Sequence, residues 1–152
     1  MKPAEISEGY TISCDPALLN LDAVHGFISN SYWAKGISKS LVEKSIRNSL
    51  CWGVYFGREQ VGVARVISDK ATFAYLCDVF IAPEHRGKGL SKALVAAIKT
   101  HPDLQGLRRW MLITVDAHGL YEQFEFCKVP EPQRCYMEII RHGIYEQQQQ
   151  QQ

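Results

Sequence analysis

Residues 75–100, YLCDVFIAPEHRGKGLSKALVAAIKT, decide the fold. Tyr75 to Ile81 are mostly aliphatic, aromatic or β-branched, the composition of a strand buried on both faces. Pro83 removes a ladder donor and ends the strand. Arg86-Gly87-Lys88-Gly89 follows, and Leu90, Leu94, Val95 and Ile98 then recur at helical spacing. Glycines let a backbone approach a ligand closely, and the first amides of a helix have no partner inside it. With the helix dipole and the charges of Arg86 and Lys88, they make a site suited to a phosphate. An ordinary strand-to-helix turn carrying solvated cations would use the same residues. The segment fits neither GxxxxGK[ST] nor GxGxxG, which argues against both nucleotide-binding loops.

Working upstream, Asp69-Lys70 makes a turn into Ala71 to Ile81. Cys51 to Phe56 and Val61 to Ile67 are apolar runs around Gly57-Arg58-Glu59-Gln60 and read as a hairpin, so the three runs form a meander. Ser40-Leu41-Val42-Glu43 has the capping-box pattern of a helix running to about Asn48. Tyr32 and Trp33 lie in a compact aromatic connection, where they either plug the sheet or wall a ligand. Leu21, Val24, His25 and Ile28 share one face of a helix from about Asp22 to Ser29, which makes His25 a core histidine first. Tyr10 to Ser13 read as a first strand, with Asp15-Pro16 as the turn after it.

Downstream, His101-Pro102-Asp103 ends the central helix, and Leu107 to Val115 read as a strand. Gly119 to Phe124 read as a short helix and Arg134 to Arg141 as a last strand, with Pro130 and Pro132 forcing a loop between them. The order β-α-α-β-β-β-α-β-α-β predicts an α/β fold with a mixed, mostly antiparallel central sheet flanked by helices. Residues 1–146 form a single domain on this reading. Gln147 to Gln152 have nothing apolar to bury and are expected to be disordered. They sit where an expression tag often sits and are set aside.

Net charge is +1, so bulk electrostatics give no case for nucleic acid or an anionic membrane. Five cysteines without a CxxC pair argue against a disulfide scaffold or a zinc site, and no metal is expected. No run approaches eighteen apolar residues and residues 1–10 lack a signal peptide's apolar stretch, so a cytoplasmic protein is expected.

Arg86-Gly87-Lys88-Gly89-Leu90-Ser91 resembles the R/Q-x-x-G-x-G/A acetyl-CoA loop of the GNAT N-acetyltransferases, with Ser91 in place of the last small residue. Leu120-Tyr121-Glu122-Gln123-Phe124-Glu125-Phe126 resembles that family's LYxxxGF, with Glu125 in place of its glycine. The family's usual Asn upstream is missing, and Asp116-Ala117-His118-Gly119 occupies the region. The resemblance covers Val54 to Ile140. It implies acetyl-CoA as cosubstrate, a primary amine of a small molecule or peptide as acceptor, and direct transfer in a ternary complex. Homodimers are frequent in that family. Donors other than acetyl, or a binding module without turnover, would keep the same loop.

By that resemblance the cofactor site comprises Val79, Phe80 and Ile81 on the strand, then Arg86, Gly87, Lys88, Gly89, Leu90, Ser91 and Lys92. A main-chain amide near Val79 to Ile81 would polarise the thioester oxygen, and a β-bulge there would free strand groups for the pantetheine arm. Tyr32, Trp33 and Asp78 would border the acceptor. Tyr121 is the candidate acid, because a phenol can protonate a departing thiolate. The candidate bases are Asp78, whose position resembles the Asp of polyamine acetyltransferases, and His118, whose ordinary pKa is near neutral. Relay through water or solvent is the alternative. Cys77 is rejected as an acyl carrier because no base can be named beside it.

Overall fold

The computed structural model describes residues 6–131 and 135–150. Five strands lie in the order β1 (Tyr10–Ser13), β2 (Leu50–Phe56), β3 (Glu59–Ser68), β4 (Phe73–Ile81) and β5 (Arg109–Leu112). The first four pair antiparallel, and β5 joins β4 in parallel, Phe73 opposite Arg109 and Leu76 opposite Leu112. A parallel neighbour needs a crossover, and α3 (Leu90–Lys99) supplies it. The sheet is therefore mixed and mostly antiparallel, as the order of elements predicted.

Each face of the sheet has its own core. The face under α3 gathers Trp52, Val54, Val61, Ala64, Val66, Ala74, Leu76 and Ile81 with Leu90, Leu94, Val95 and Ile98 of the helix. The opposite face carries α1 (Leu21–Ser29) and α2 (Lys39–Arg47), where Val24, Ile28, Ile37 and Val42 close on Val63. Sidedness follows from the two-residue period of strands and the apolar stripes of the helices. Asn20 caps α1 by accepting from the Ala23 amide (3.1 Å).

Several expectations are corrected. The cap of α2 is Ser38, whose hydroxyl accepts from the Leu41 amide (3.3 Å), while Ser40 sits inside the first turn. Local pattern alone cannot separate two serines two residues apart. The strand expected over 107–115 shortens to β5, because Ile113 and Val115 have left the ladder and are exposed. The helix expected over 119–124 is α4 (His118–Glu122). The last strand, expected over 134–141, is not formed in residues 136–141. Met137 and Ile139 alternate as strand residues do, yet strand propensity needs a partner edge, and none of the five strands pairs with them. Arg134 lies outside the described residues. Gln147 to Gln150, expected to be disordered, continue α5 (Ile144–Gln150). Glutamine is a good helix former, and the helix is anchored where Tyr145 packs on the α1–α2 core.

Candidate active site

The site begins with a fault in the ladder between β3 and β4. Val63 pairs with Phe80 and Arg65 with Cys77, so Asp78 and Val79 together oppose the single residue Ala64. Asp78 takes up the extra residue in the left-handed region, φ 53°. This is the bulge anticipated for the strand, one residue earlier than Val79. The pairing of β4 with β5 has already stopped at Leu76–Leu112, so the two strands part beside the bulge.

Beyond β4 the chain makes a tight turn at Pro83–His85 and enters the glycine loop. Gly87 and Gly89 have φ of 78° and 74°, and a Cβ at either would meet nothing within 4 Å. Glycine is needed there for torsion, not for space. The Ala93 amide makes the first bond inside α3, to the Gly89 carbonyl, and among the described residues no side chain caps the helix. The amides of Leu90, Ser91 and Lys92 therefore open the helix without acceptors inside it.

The loop is tied down from two sides. Arg86 Nε donates to the Ile81 carbonyl (2.8 Å), and its guanidinium lies 5.3 Å from the Phe80 ring centre. Phe80 is in turn stacked on Phe27 of α1 at 5.0 Å. From the N-terminal side, the Ser7 hydroxyl donates to the Lys88 carbonyl (2.9 Å), and Tyr10 Oη lies 2.7 Å from His85 Nδ1.

Two open spaces meet along this loop. One is lined by Ile81, His85, Arg86, Gly87, Gly89, Leu90, Ser91, Lys92 and Leu120. The other, a cleft of about 470 Å³, is lined by Asn30, Ser31, Tyr32, Trp33, Val79, Phe80, Ile81, Arg86, Ser91 and Asp116. Ile81, Arg86 and Ser91 border both, so the two spaces adjoin at the end of β4. Most of the residues expected to hold cofactor and acceptor are thus brought together. Lys88 is the exception in the loop, and it contributes its carbonyl to the Ser7 tie.

The candidate acid and bases lie differently. Tyr121 is 8% exposed and belongs to the α3-side core, its ring against Phe126 at 5.9 Å, while the adjacent Leu120 reaches the cleft wall. Burial pushes its phenol above the ordinary value near 10, so it keeps its proton. His118 opens α4, half-buried, and does not line either space. Asp78 has both oxygens occupied: Oδ1 accepts from Trp33 Nε1 (2.8 Å) and Oδ2 from Arg65 Nε (2.8 Å). Burial pushes the Cys77 thiol up to about 12, which leaves no thiolate to carry an acyl group.

Sequence reading missed Asp116, the carboxylate that lines the large cleft, along with Asn30, Ser31 and His85. Asp116 stands just past the end of β5, and its place beside the α1–α2 connection comes from tertiary contact. His85 had a signal, since it directly precedes the loop arginine. The replaced motif glycine also has an answer: Glu125 adopts φ 72°, so the left-handed turn survives without glycine.

A parallel pair that parts at a bulge, with an uncapped helix opening beside it, makes this a mixed α/β fold with a cleft at the strand ends. The acetyltransferase (GNAT) domain profile matches residues 47–128, more than half of the chain. A Gibberella zeae protein is 35% identical over 144 residues, spanning 79% of this chain and 80% of that one. A crystal structure of a GNAT-family protein from Xanthomonas campestris pv. campestris superposes with a TM-score of 0.87 at 48% identity, covering 93% of this chain and 99% of that one. Both proteins are named putative acetyltransferases. A Clostridium acetobutylicum structure, described as a predicted acetyltransferase with acetyl-CoA, shares the fold at 12% identity and a TM-score of 0.61, over 86% of this chain and 94% of that one. The chain belongs to the GNAT acetyltransferase family. Among the described residues, no helix is long and apolar enough to cross a membrane.

Proposed function

We propose that this protein is an N-acetyltransferase that moves an acetyl group from acetyl-CoA to a primary amine of a small molecule or peptide, by direct transfer in a ternary complex. The observation that carries the reading is the uncapped N-terminus of α3 under two left-handed glycines, adjoining a cleft lined by Val79 beside the β4 bulge. Unpaired amides, the helix dipole and Arg86 suit a pyrophosphate. The unpaired edge of β4 beyond Leu76 suits an arm that carries amides of its own. The acetyl-CoA named with the Clostridium acetobutylicum neighbour supports the same choice of cosubstrate.

Acetyl-CoA held there supplies the activated acetyl thioester. The protein's own groups do the rest. Main-chain amides at Val79 to Ile81 stabilise negative charge on the carbonyl oxygen. Tyr121, kept protonated by burial, provides the proton for the leaving thiolate. Asp116, on the cleft wall, draws a cationic amine, and the proton that the amine must lose leaves through water. Tyr32 and Trp33 wall the acceptor side.

Calorimetric titration with acetyl-CoA followed by thiol release against an amine panel tests the proposal. Stoichiometric binding and amine-dependent release are expected. Binding without release for any amine would leave a CoA-binding module, and no binding would end the reading.

A further inference from the structure

Asp78 looks like a base in sequence because a carboxylate in a buried strand needs a purpose. Its surroundings give it a different one. Its side chain is 9% exposed, and the partner Arg65 is 17% exposed and also donates to Ser49 Oγ (3.1 Å). Arg65 sits between Cys51 on β2 and Cys77 on β4, its cross-strand partners, and among the described residues no second carboxylate is paired to it. The charge of Asp78 is therefore consumed within the sheet. The remaining oxygen points to the α1–α2 connection, where it holds the Trp33 indole N–H.

Trp33 is large, half-exposed and on the cleft wall, with Tyr32 set edge-on to it at 5.1 Å. The segment before it is already fixed, since Ser31 Oγ donates to the Ile28 carbonyl (2.6 Å) and accepts from the Ala34 amide (3.2 Å). Among the described residues, Asp78 is the acceptor that the indole N–H meets. Asp78 also occupies the bulge, so one residue connects the strand at which the acyl group is offered to the wall against which the acceptor rests.

We propose that Asp78 is a positioning residue: held by Arg65, it fixes the Trp33 indole, and this hook rather than the charge of Asp78 sets which acceptors fit the cleft. The inference rests on the transferase reading given above. It assigns the acceptor's counter-charge to Asp116 and leaves Asp78 out of proton transfer.

Two substitutions separate the roles. Trp33→Phe keeps a ring and removes the N–H. Asp78→Asn leaves one acceptor oxygen where two are needed and sets an N–H₂ donor against either Arg65 Nε or Trp33 Nε1, so the hook cannot stay held at both ends. It still tolerates the left-handed backbone, which asparagine adopts more readily than most residues. Acetyl-CoA-dependent thiol release with wild type and both variants, across the panel's primary amines, should show acceptor KM rising roughly ten-fold in each. The KM for acetyl-CoA should stay as it is, and the double variant should be no worse than the worse single one. The kcat of Asp78→Asn should keep the pH limb of the wild type. A lost limb, or a kcat collapse at unchanged acceptor KM, would make Asp78 the base and overturn the proposal. The indole N–H resonance of Trp33, assigned as the one absent in Trp33→Phe, gives a readout without turnover. It should move in Asp78→Asn, and an unmoved resonance would remove the hook. If wild type fails to bind acetyl-CoA in calorimetry, the transferase reading falls and takes the acceptor role with it, whatever the resonance shows.

Discussion

Gly89 tests whether the loop is shaped for a ligand. Its φ of 74° costs a residue with a Cβ about 1–2 kcal/mol, and no neighbouring atom lies within 4 Å of that Cβ, so the cost of Gly89→Ala is purely torsional. Alanine also stiffens the unfolded chain, which offsets roughly 0.4–1 kcal/mol of any stability loss. Gly57 in the β2–β3 hairpin has φ 60° and equally open space, and it lines neither open space along the loop, so Gly57→Ala calibrates both terms. In the hairpin the ladder holds the strained conformation, and a net loss of about 0.5–1 kcal/mol in urea unfolding is expected, with acetyl-CoA affinity unchanged. In the Gly89 loop no ladder does so. The free protein relaxes, stability changes less than for Gly57→Ala, and the torsional cost returns on binding. That corresponds to a roughly 5- to 30-fold weaker calorimetric Kd for acetyl-CoA. Wild-type affinity and wild-type stability together in Gly89→Ala would refute the claim that the left-handed turn builds the cradle.

Three further outcomes follow from single residues. Tyr55 Oη is buried and meets no hydrogen-bond partner among the described residues, so Tyr55→Phe should raise stability by about 1 kcal/mol in urea unfolding. Glu125→Gly should also stabilise, by about 1 kcal/mol, because it relieves φ 72° at the loss of a 3.8 Å surface ion pair with Lys99 that contributes little; an unchanged midpoint would refute the strain argument. Tyr121→Phe should lower kcat about 10²- to 10⁴-fold without weakening acetyl-CoA binding, and an unaltered kcat would dismiss it as the acid. Burial raises the folded-state pKa of Tyr121, so its contribution to stability is complete below the unfolded value near 10 and is lost as pH rises through the folded one. Urea midpoints taken from pH 9 upward should therefore fall less steeply in Tyr121→Phe than in wild type.

The chain by itself determined the sheet's middle and the glycine loop. β2, β3, β4 and α3 are long or strongly periodic, and Gly87 and Gly89 state a torsional need that few other residues meet, so local chemistry sufficed. The bulge was legible in place though not in register, because whether Asp78 or Val79 takes the extra position depends on what β3 offers across the ladder. Residues 136–141 read as a strand from propensity alone, and their lack of a ladder is a matter of which edges are available. Asp78 shows the limit most sharply. A carboxylate in a strand announces an unmet charge, but only the approach of Arg65 from β3 and Trp33 from the α1–α2 connection, 13 and 45 residues away, decides that the charge is already answered. Asp116 gains its place in the same way, since residues distant in sequence become one cleft wall only when the two cores close on the sheet. Backbone torsion and periodicity are local and are written in the chain, whereas the partner of a buried charge is chosen by packing.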